Sequence, residues 1–236
     1  MAVIKKQSMS AQVIDHILSK IEGGELKPGD KLMNERDFAE SLGISRVPLR
    51  EAICALTALG ILTSRQGDGT FVNSFNEGML GRIMYIYTIL DEVSANELME
   101  LRADLEASCA AAAAERRSEE EISRIRDAQK AFADALEGLK NGELPIDRVF
   151  AADHAFHKTI GRAAGNKLYN EILGAIRVPF ERYPMSPDPK KNIEYFNRSL
   201  EHHRGIVEAI EKGERLLAYD LMQKHIEEVL QEMQEN

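Results

Sequence analysis

Residues 34–72, NERDFAESLGISRVPLREAICALTALGILTSRQGDGTFV, restrict the fold more than any other stretch. Asn34 is a good N-cap for a helix over 35–42, with Asp37 well placed in its first turn. Phe38, Ala39 and Leu42 form the inner face of that helix. Gly43 supplies the left-handed residue that a sharp inter-helix turn needs. Ser45 then caps a second helix, where Pro48 is tolerated because it lies in the first turn. Leu49, Ile53, Leu56 and Leu59 recur at helical spacing until Gly60 ends the run. ILTS and TFV, around RQGDG, make a short hairpin. A further helix precedes, from about Ser10 to Glu22, with Val13, Ile14, Ile17, Leu18 and Ile21 on one face. Between them, LKPGDKL holds a Pro-Gly turn. Three helices and a hairpin in this order predict a winged helix-turn-helix.

Such a module places the N-terminal residues of its second motif helix against base edges in the major groove. Here those positions are Ser45, Arg46, Val47 and Arg50. Arginine suits a bidentate contact with guanine, and a serine hydroxyl reaches a phosphate. Arg46 and Arg50, four apart, share a face distinct from the line through Leu49, Ile53 and Leu56. Arg36 is placed for a phosphate, and Gln66-Gly67 at the hairpin tip for the minor groove. Any one of these arginines alone is an ordinary solvated charge; together with the caps, turn and hairpin they point to DNA. The formal charge of −9 does not oppose this. Residues 1–75 hold nine Lys or Arg and nine Asp or Glu, so the whole excess lies in 76–236. A neutral reader joined to an acidic module fits a DNA-binding domain with a sensor.

The remainder reads as helix throughout: 79–91, 95–117, 119–141, 146–163, 167–183, 190–212 and 214–234, after a linker at 73–78. Ser94 caps the second of these, and Ser118 with Glu121 makes a capping box for the third. PMSPDP at 184–189 forces a break, and Gly213 divides the last two. The expected fold is therefore mainly α. A winged helix-turn-helix over 1–75 precedes an all-α antiparallel bundle over 76–236. Cys54 and Cys109, far apart and within helical patterns, read as buried thiols in a reducing compartment.

Within the bundle, Asp153 and His157 are four apart and project from one helix face. His203 lies ten residues before Gly213 and His225 twelve after it. If those helices fold back about Gly213, the two imidazoles reach nearly the same height. Three imidazoles and one carboxylate would suit zinc or another divalent first-row metal, nickel or manganese among them. Spacing alone is weak evidence, because a lone histidine on a helix is more often structural. Helix 95–117 carries Leu98, Leu101, Leu105 and Cys109 as an inward stripe, and Arg102 falls inside it. A buried guanidinium needs an anion. Glu106, four residues on, is one candidate, and a carboxylate ligand is the other. Arg177 is a second possible anion contact.

ERDFAESLGISRVPLREAICALTALGILTSRQGDGTFV resembles the N-terminal domain of the GntR family of bacterial transcription regulators, over nearly all of residues 8–73. The resemblance implies a homodimer on a palindromic operator, with DNA contacts at Arg36, Ser45, Arg46, Arg50, Gln66 and Gly67. Many members carry threonine before the proline; Val47 stands there instead, so a hydroxyl contact is lost and sequence preference shifts. DHAFHKTIGRAAGNKLYNEIL and HHRGIVEAIEKGERLLAYDLMQKHI resemble motifs of FCD domains in the FadR-type branch. That resemblance implies Asp153, His157, His203 and His225 as metal ligands, with His154 and His202 outside the set. His202 falls where glutamate is usual. ELRADLEASCAAAAA resembles the segment whose arginine lines the ligand cavity, which favours Arg102 as a clamp for a small organic acid.

The expected protein is a metabolite-responsive regulator of the cytoplasm, a repressor with an acid effector, and not an enzyme. No run of about 18 apolar residues exists to cross a membrane. A metal-dependent enzyme is the alternative, since a His/Asp site with open positions activates water. Against it, no spare general base or nucleophile motif accompanies the ligands. A purely structural metal is a third reading.

Overall fold

The computed structural model describes residues 7–74, 77–90, 94–177 and 188–235. Its contacts group into two units, Met1–Met79 and Leu80–Asn236. Four sequence-based expectations fall wholly or partly outside the described residues: the linker at 73–78, the end of helix 79–91, the break at 184–189, and the end of helix 167–183.

In the first unit, α1 (Met9–Glu22), α2 (Glu35–Ser41) and α3 (Arg46–Ala58) precede β1 (Leu62–Arg65) and β2 (Gly69–Val72). Asn34 caps α2, its side-chain oxygen accepting from the Asp37 amide. Gly43, at φ 66°, then turns the chain into α3. Leu49, Ile53 and Leu56 from α3 meet Val13 and Ile17 from α1, Phe38 from α2, and Leu62 and Val72 from the hairpin. The strands pair antiparallel from Leu62↔Val72 to Arg65↔Gly69. Residues 29–32 run beside β2 as well: the Leu32 amide donates to the Thr70 carbonyl at 2.8 Å, and the Val72 amide to that of Asp30 at 2.9 Å. The Pro-Gly segment is thus also an edge for the wing.

Three side chains expected inside this unit are outside. Leu18 of α1 is exposed, Leu59 is exposed at the end of α3, and Cys54 is exposed too. Cys54 lies one turn after Arg50, on the solvent face of α3, so its neighbour Ile53 takes the buried position.

The second unit holds α4 (Glu77–Ile89), α5 (Ala95–Arg116), α6 (Glu119–Lys140), α7 (Ile146–Ala163), α8 (Lys167–Arg177), α9 (Pro189–Lys212) and α10 (Arg215–Glu235). A complete capping box starts α5: the Ser94 hydroxyl accepts from the Glu97 amide, and the Glu97 carboxylate from the Ser94 amide. At α6 the Ser118 hydroxyl accepts from the Glu121 amide, but only this half of the expected box forms. α5 is the spine of the bundle, packing on α7, α8, α9 and most extensively on α10. Ala103, Ala107, Ala110, Ala113 and Ala114 are buried along it, and such small side chains let neighbouring helices approach closely. The buried face steps from Leu98 through Arg102 and Glu106 to Ala113, which leaves Leu101 exposed at the rim. Leu101 is therefore not part of the inward stripe. Gly213, at φ 72°, closes α9 and lets α10 fold back along it.

Candidate nucleic-acid interface and candidate metal centre

The start of α3 is exposed and positively charged, anchored by Leu49, which is fully buried beneath it. Ser45 occupies the N-cap position, yet its hydroxyl makes no capping bond. Val47 is 64% exposed. Arg50 Nε lies 2.7 Å from Glu35 Oε2, and Arg46 Nη2 lies 3.5 Å from the same oxygen. One carboxylate at the start of α2 thus holds both arginines of α3 on one side. Arg36 pairs with its neighbour Asp37 at 3.1 Å.

At the wing, Gln66 and Gly67 are exposed between the strands, with Gly67 at φ 78°. Arg65 lies over the Phe71 ring at 4.8 Å and Lys31 over it at 5.6 Å. These two cations flank the wing and were absent from the expected contact set. Lys31 is distant in sequence from the hairpin, so only the pairing of 29–32 with β2 brings it there.

In the helical unit, α7, α9 and α10 bring three imidazoles to one point. His203 Nε2 lies 3.2 Å from His225 Nε2, which lies 3.3 Å from His157 Nε2. Asp153 Oδ1 sits 3.5 Å from His203 Nε2 and 3.8 Å from His157 Nε2. All three histidines are buried. Phe156 stacks on His203 at 4.0 Å and Phe132 tilts against it at 4.9 Å, which fixes that ring. Burial, and then the neighbouring imidazoles, hold His203 and His225 well below the usual histidine range. Both are therefore neutral near pH 7 and keep lone pairs for a ligand bond.

The donor set fits a divalent ion. Nitrogen ligands about 2.1 Å from a tetrahedral ion lie about 3.4 Å from one another. The separations between these nitrogens, and from Asp153 to two of them, are close to that. The three histidines, one from each of three helices, bring ligand atoms within 4.8 Å of one another and could hold one ion.

Behind this point stands a group that apolar periodicity does not reveal. Glu106 Oε2 accepts from His157 Nδ1, and its Oε1 accepts from Arg102 Nε at 2.6 Å. Burial drives the Glu106 carboxyl upward, but His157 and Arg102 together outweigh it and hold the pKa well below the carboxylate range. Arg102 is correspondingly raised by Glu106 against its own burial. The anion that buried Arg102 requires is thus supplied by the chain itself, four residues along the same helix, and does not by itself call for a bound acid. The only sign in the sequence was that same i, i+4 spacing. Arg177 ends α8, and its side chain lies outside the described residues. Burial pushes the Cys109 thiol up to about 12, so it stays protonated and inert.

Residues 97–228 match the model of the FCD domain, and residues 9–72 that of "Bacterial regulatory proteins, gntR family". The HTH-type transcriptional regulator LutR of Bacillus subtilis (strain 168) is 34% identical over 156 residues, which cover 66% of this chain and 68% of that protein. The "Putative L-lactate dehydrogenase operon regulatory protein" of Escherichia coli (strain K12) is 29% identical over 233 residues, 95% of this chain and 86% of that one. Among solved structures, "Streptococcus agalactiae GntR" superposes with a TM-score of 0.67 at 28% identity, over 93% of this chain and 98% of that one. The relatives carry the names of transcription regulators, not of enzymes.

Proposed function

Because the chain belongs to the gntR family of bacterial regulatory proteins and carries an FCD domain, we propose that it is a homodimeric, metal-dependent repressor released by a small carboxylic acid. Its DNA-binding helix-turn-helix and its effector domain follow from the family; the finer reading rests on one observation. Three buried Nε2 atoms and Asp153 meet at a point, and a buried arginine stands one residue behind.

Asp153, His157, His203 and His225 would hold the ion, zinc by preference and nickel or manganese otherwise. When bound, it supplies a Lewis-acid seat for one carboxylate oxygen. Glu106 orients His157 by its bond to Nδ1, so that Nε2 faces the site. Arg102 gives Nε to Glu106, with Nη1 against Met99 Sδ, and in this reading offers Nη2 to the acid. The acid thereby touches α5, α7, α9 and α10 at once. An effector shifts the DNA-bound population only through unequal affinity for the two states. Two copies would read a palindrome, one half-site each. Ile86, Tyr87, Ile89 and Leu90 on and after α4 are exposed and suit the contact between copies. No described helix is long and apolar enough to cross a membrane, and the operator would be met in the cytoplasm.

On DNA, Arg46 and Arg50 leave Glu35 or are aimed by it at base edges, Ser45 and Arg36 take phosphates, and Gln66-Gly67 enter the minor groove. The test is Arg46→Ala against an operator selected from random duplexes with the native protein. A bidentate arginine–guanine contact carries about 1–3 kcal/mol, so specific binding is expected to fall roughly 5- to 150-fold. The circular dichroism spectrum is expected to stay unchanged, since Arg46 is exposed. Unaltered affinity and footprint would remove Arg46 from the reader.

A further inference from the structure

On the far side of His225 from the triad, the described residues hold a second line of polar contacts. His225 Nδ1 lies 3.4 Å from His202 Nδ1. His202 Nε2 lies 3.4 Å from Glu228 Oε2, while Lys224 Nζ stands 3.6 Å from the other oxygen of that carboxylate. His202 and Glu228 are partly exposed and line a cavity of about 220 Å³, together with Tyr195, Arg198, Ser199 and His225. The His202 and His225 rings meet edge to face, at 78° and 5.5 Å between centroids.

We propose that His202 and Glu228 are positioning residues that fix the tautomer and orientation of His225 for ion binding, a role that rests on the metal-site reading above. The proton count decides the direction. His225 Nε2 points into the triad, so its lone pair must be free there, and the ring proton of the neutral imidazole sits on Nδ1. That proton has His202 Nδ1 as its acceptor. His202 must then carry its own proton on Nε2, where Glu228 Oε2 accepts it. One carboxylate thus orders two rings in series, with each nitrogen assigned a single role. His157 is ordered in the same way by Glu106 on the opposite side of the site. The two arms differ in setting: Glu106 is buried, whereas the His202 arm borders the cavity. A change at 202 is therefore absorbed without collapsing the core.

The experiment measures zinc affinity of the full chain by competition with a chromophoric chelator, and the visible spectrum of the cobalt(II)-loaded protein. His202→Leu removes the acceptor and is expected to weaken zinc binding about 10- to 100-fold, the usual cost of losing a group that orients a metal-bound histidine. The cobalt ligand-field bands are expected to shift or broaden. His202→Asn, whose side-chain oxygen falls near the lost Nδ1, is expected to restore most of the affinity. Glu228→Leu is expected to give a smaller loss of the same kind, with the native helical circular dichroism. Native affinity and an unchanged cobalt spectrum in His202→Leu, beside a native protein that binds zinc, overturn this proposal alone. Equal losses in His202→Leu and His202→Asn do so too, because bulk and not the acceptor would then matter. A native protein that takes up neither zinc nor cobalt overturns both this proposal and the metal-site reading.

Discussion

Glu106→Ala is expected to lower the unfolding free energy of the helical unit by about 3–5 kcal/mol, the cost of stripping one partner from a buried ion pair. The reason is not the pair's own strength. Arg102 and Glu106 are both buried, and Glu106 also faces His157 Nδ1. Without the carboxylate, a guanidinium is left in the core among Met99 and the alanines of α5, with its charge uncompensated. Urea unfolding followed by helical circular dichroism measures the loss. The double variant Arg102→Met, Glu106→Leu is expected to recover most of it, since neither charge is then buried. If Glu106→Ala unfolds at the native urea concentration, the bridge does not hold α5 to the site. The acid limb gives a second sign. Glu106 has a depressed folded pKa, so its contribution is present above the ordinary glutamate value and is lost as pH falls through the lower folded one.

The second large effect concerns the ion. Zinc added at about one hundred times its dissociation constant is expected to stabilise the native chain by about 2.7 kcal/mol, because only the folded state gathers the ligands. His203→Ala is expected to remove that gain and to drop zinc content by elemental analysis from one ion per chain to a trace. His203 is the sensitive choice. It is fully buried, clamped between Phe132 and Phe156, and its Nε2 contacts both His225 and Asp153. The empty variant leaves a small apolar gap as well, so the comparison must be the zinc-dependent increment and not the absolute stability. A full zinc increment in His203→Ala would strike that residue from the ligand set.

The helix starts, and the reversal that sets His203 beside His225, were legible in the sequence for identifiable reasons. Asn34 and Ser94 mark helix starts because short polar side chains satisfy first-turn amides. Gly213 marks a reversal because only glycine adopts its backbone conformation cheaply, and reversal brings His203 and His225 level. What stayed hidden was polar burial. Glu106 reads as one candidate partner for Arg102, but its contact with His157 emerges only when α7 lays that ring against α5. Leu101 reads as core, yet the buried polar residues Arg102 and Glu106 rotate the inward face away from it. Cys54 looks apolar in sequence, although the arginine one turn before it already marks an exposed face. Lys31 reaches the wing only by tertiary pairing. Periodicity reports where apolar groups go; it is silent on charges that fold inward because they have found partners.

The central claim, that an acid at the Asp153–His157–His203–His225 centre governs DNA binding, is tested most directly by operator affinity. Fluorescence anisotropy of a labelled operator is followed with zinc-loaded protein while a panel of small carboxylic acids is added. One acid is expected to weaken operator binding about 5- to 150-fold, a coupling of about 1–3 kcal/mol. The same acid is expected to have no effect on His203→Ala. Operator affinity that stays constant across the whole panel, in protein that holds zinc and binds operator, would contradict the claim and leave the ion a structural role.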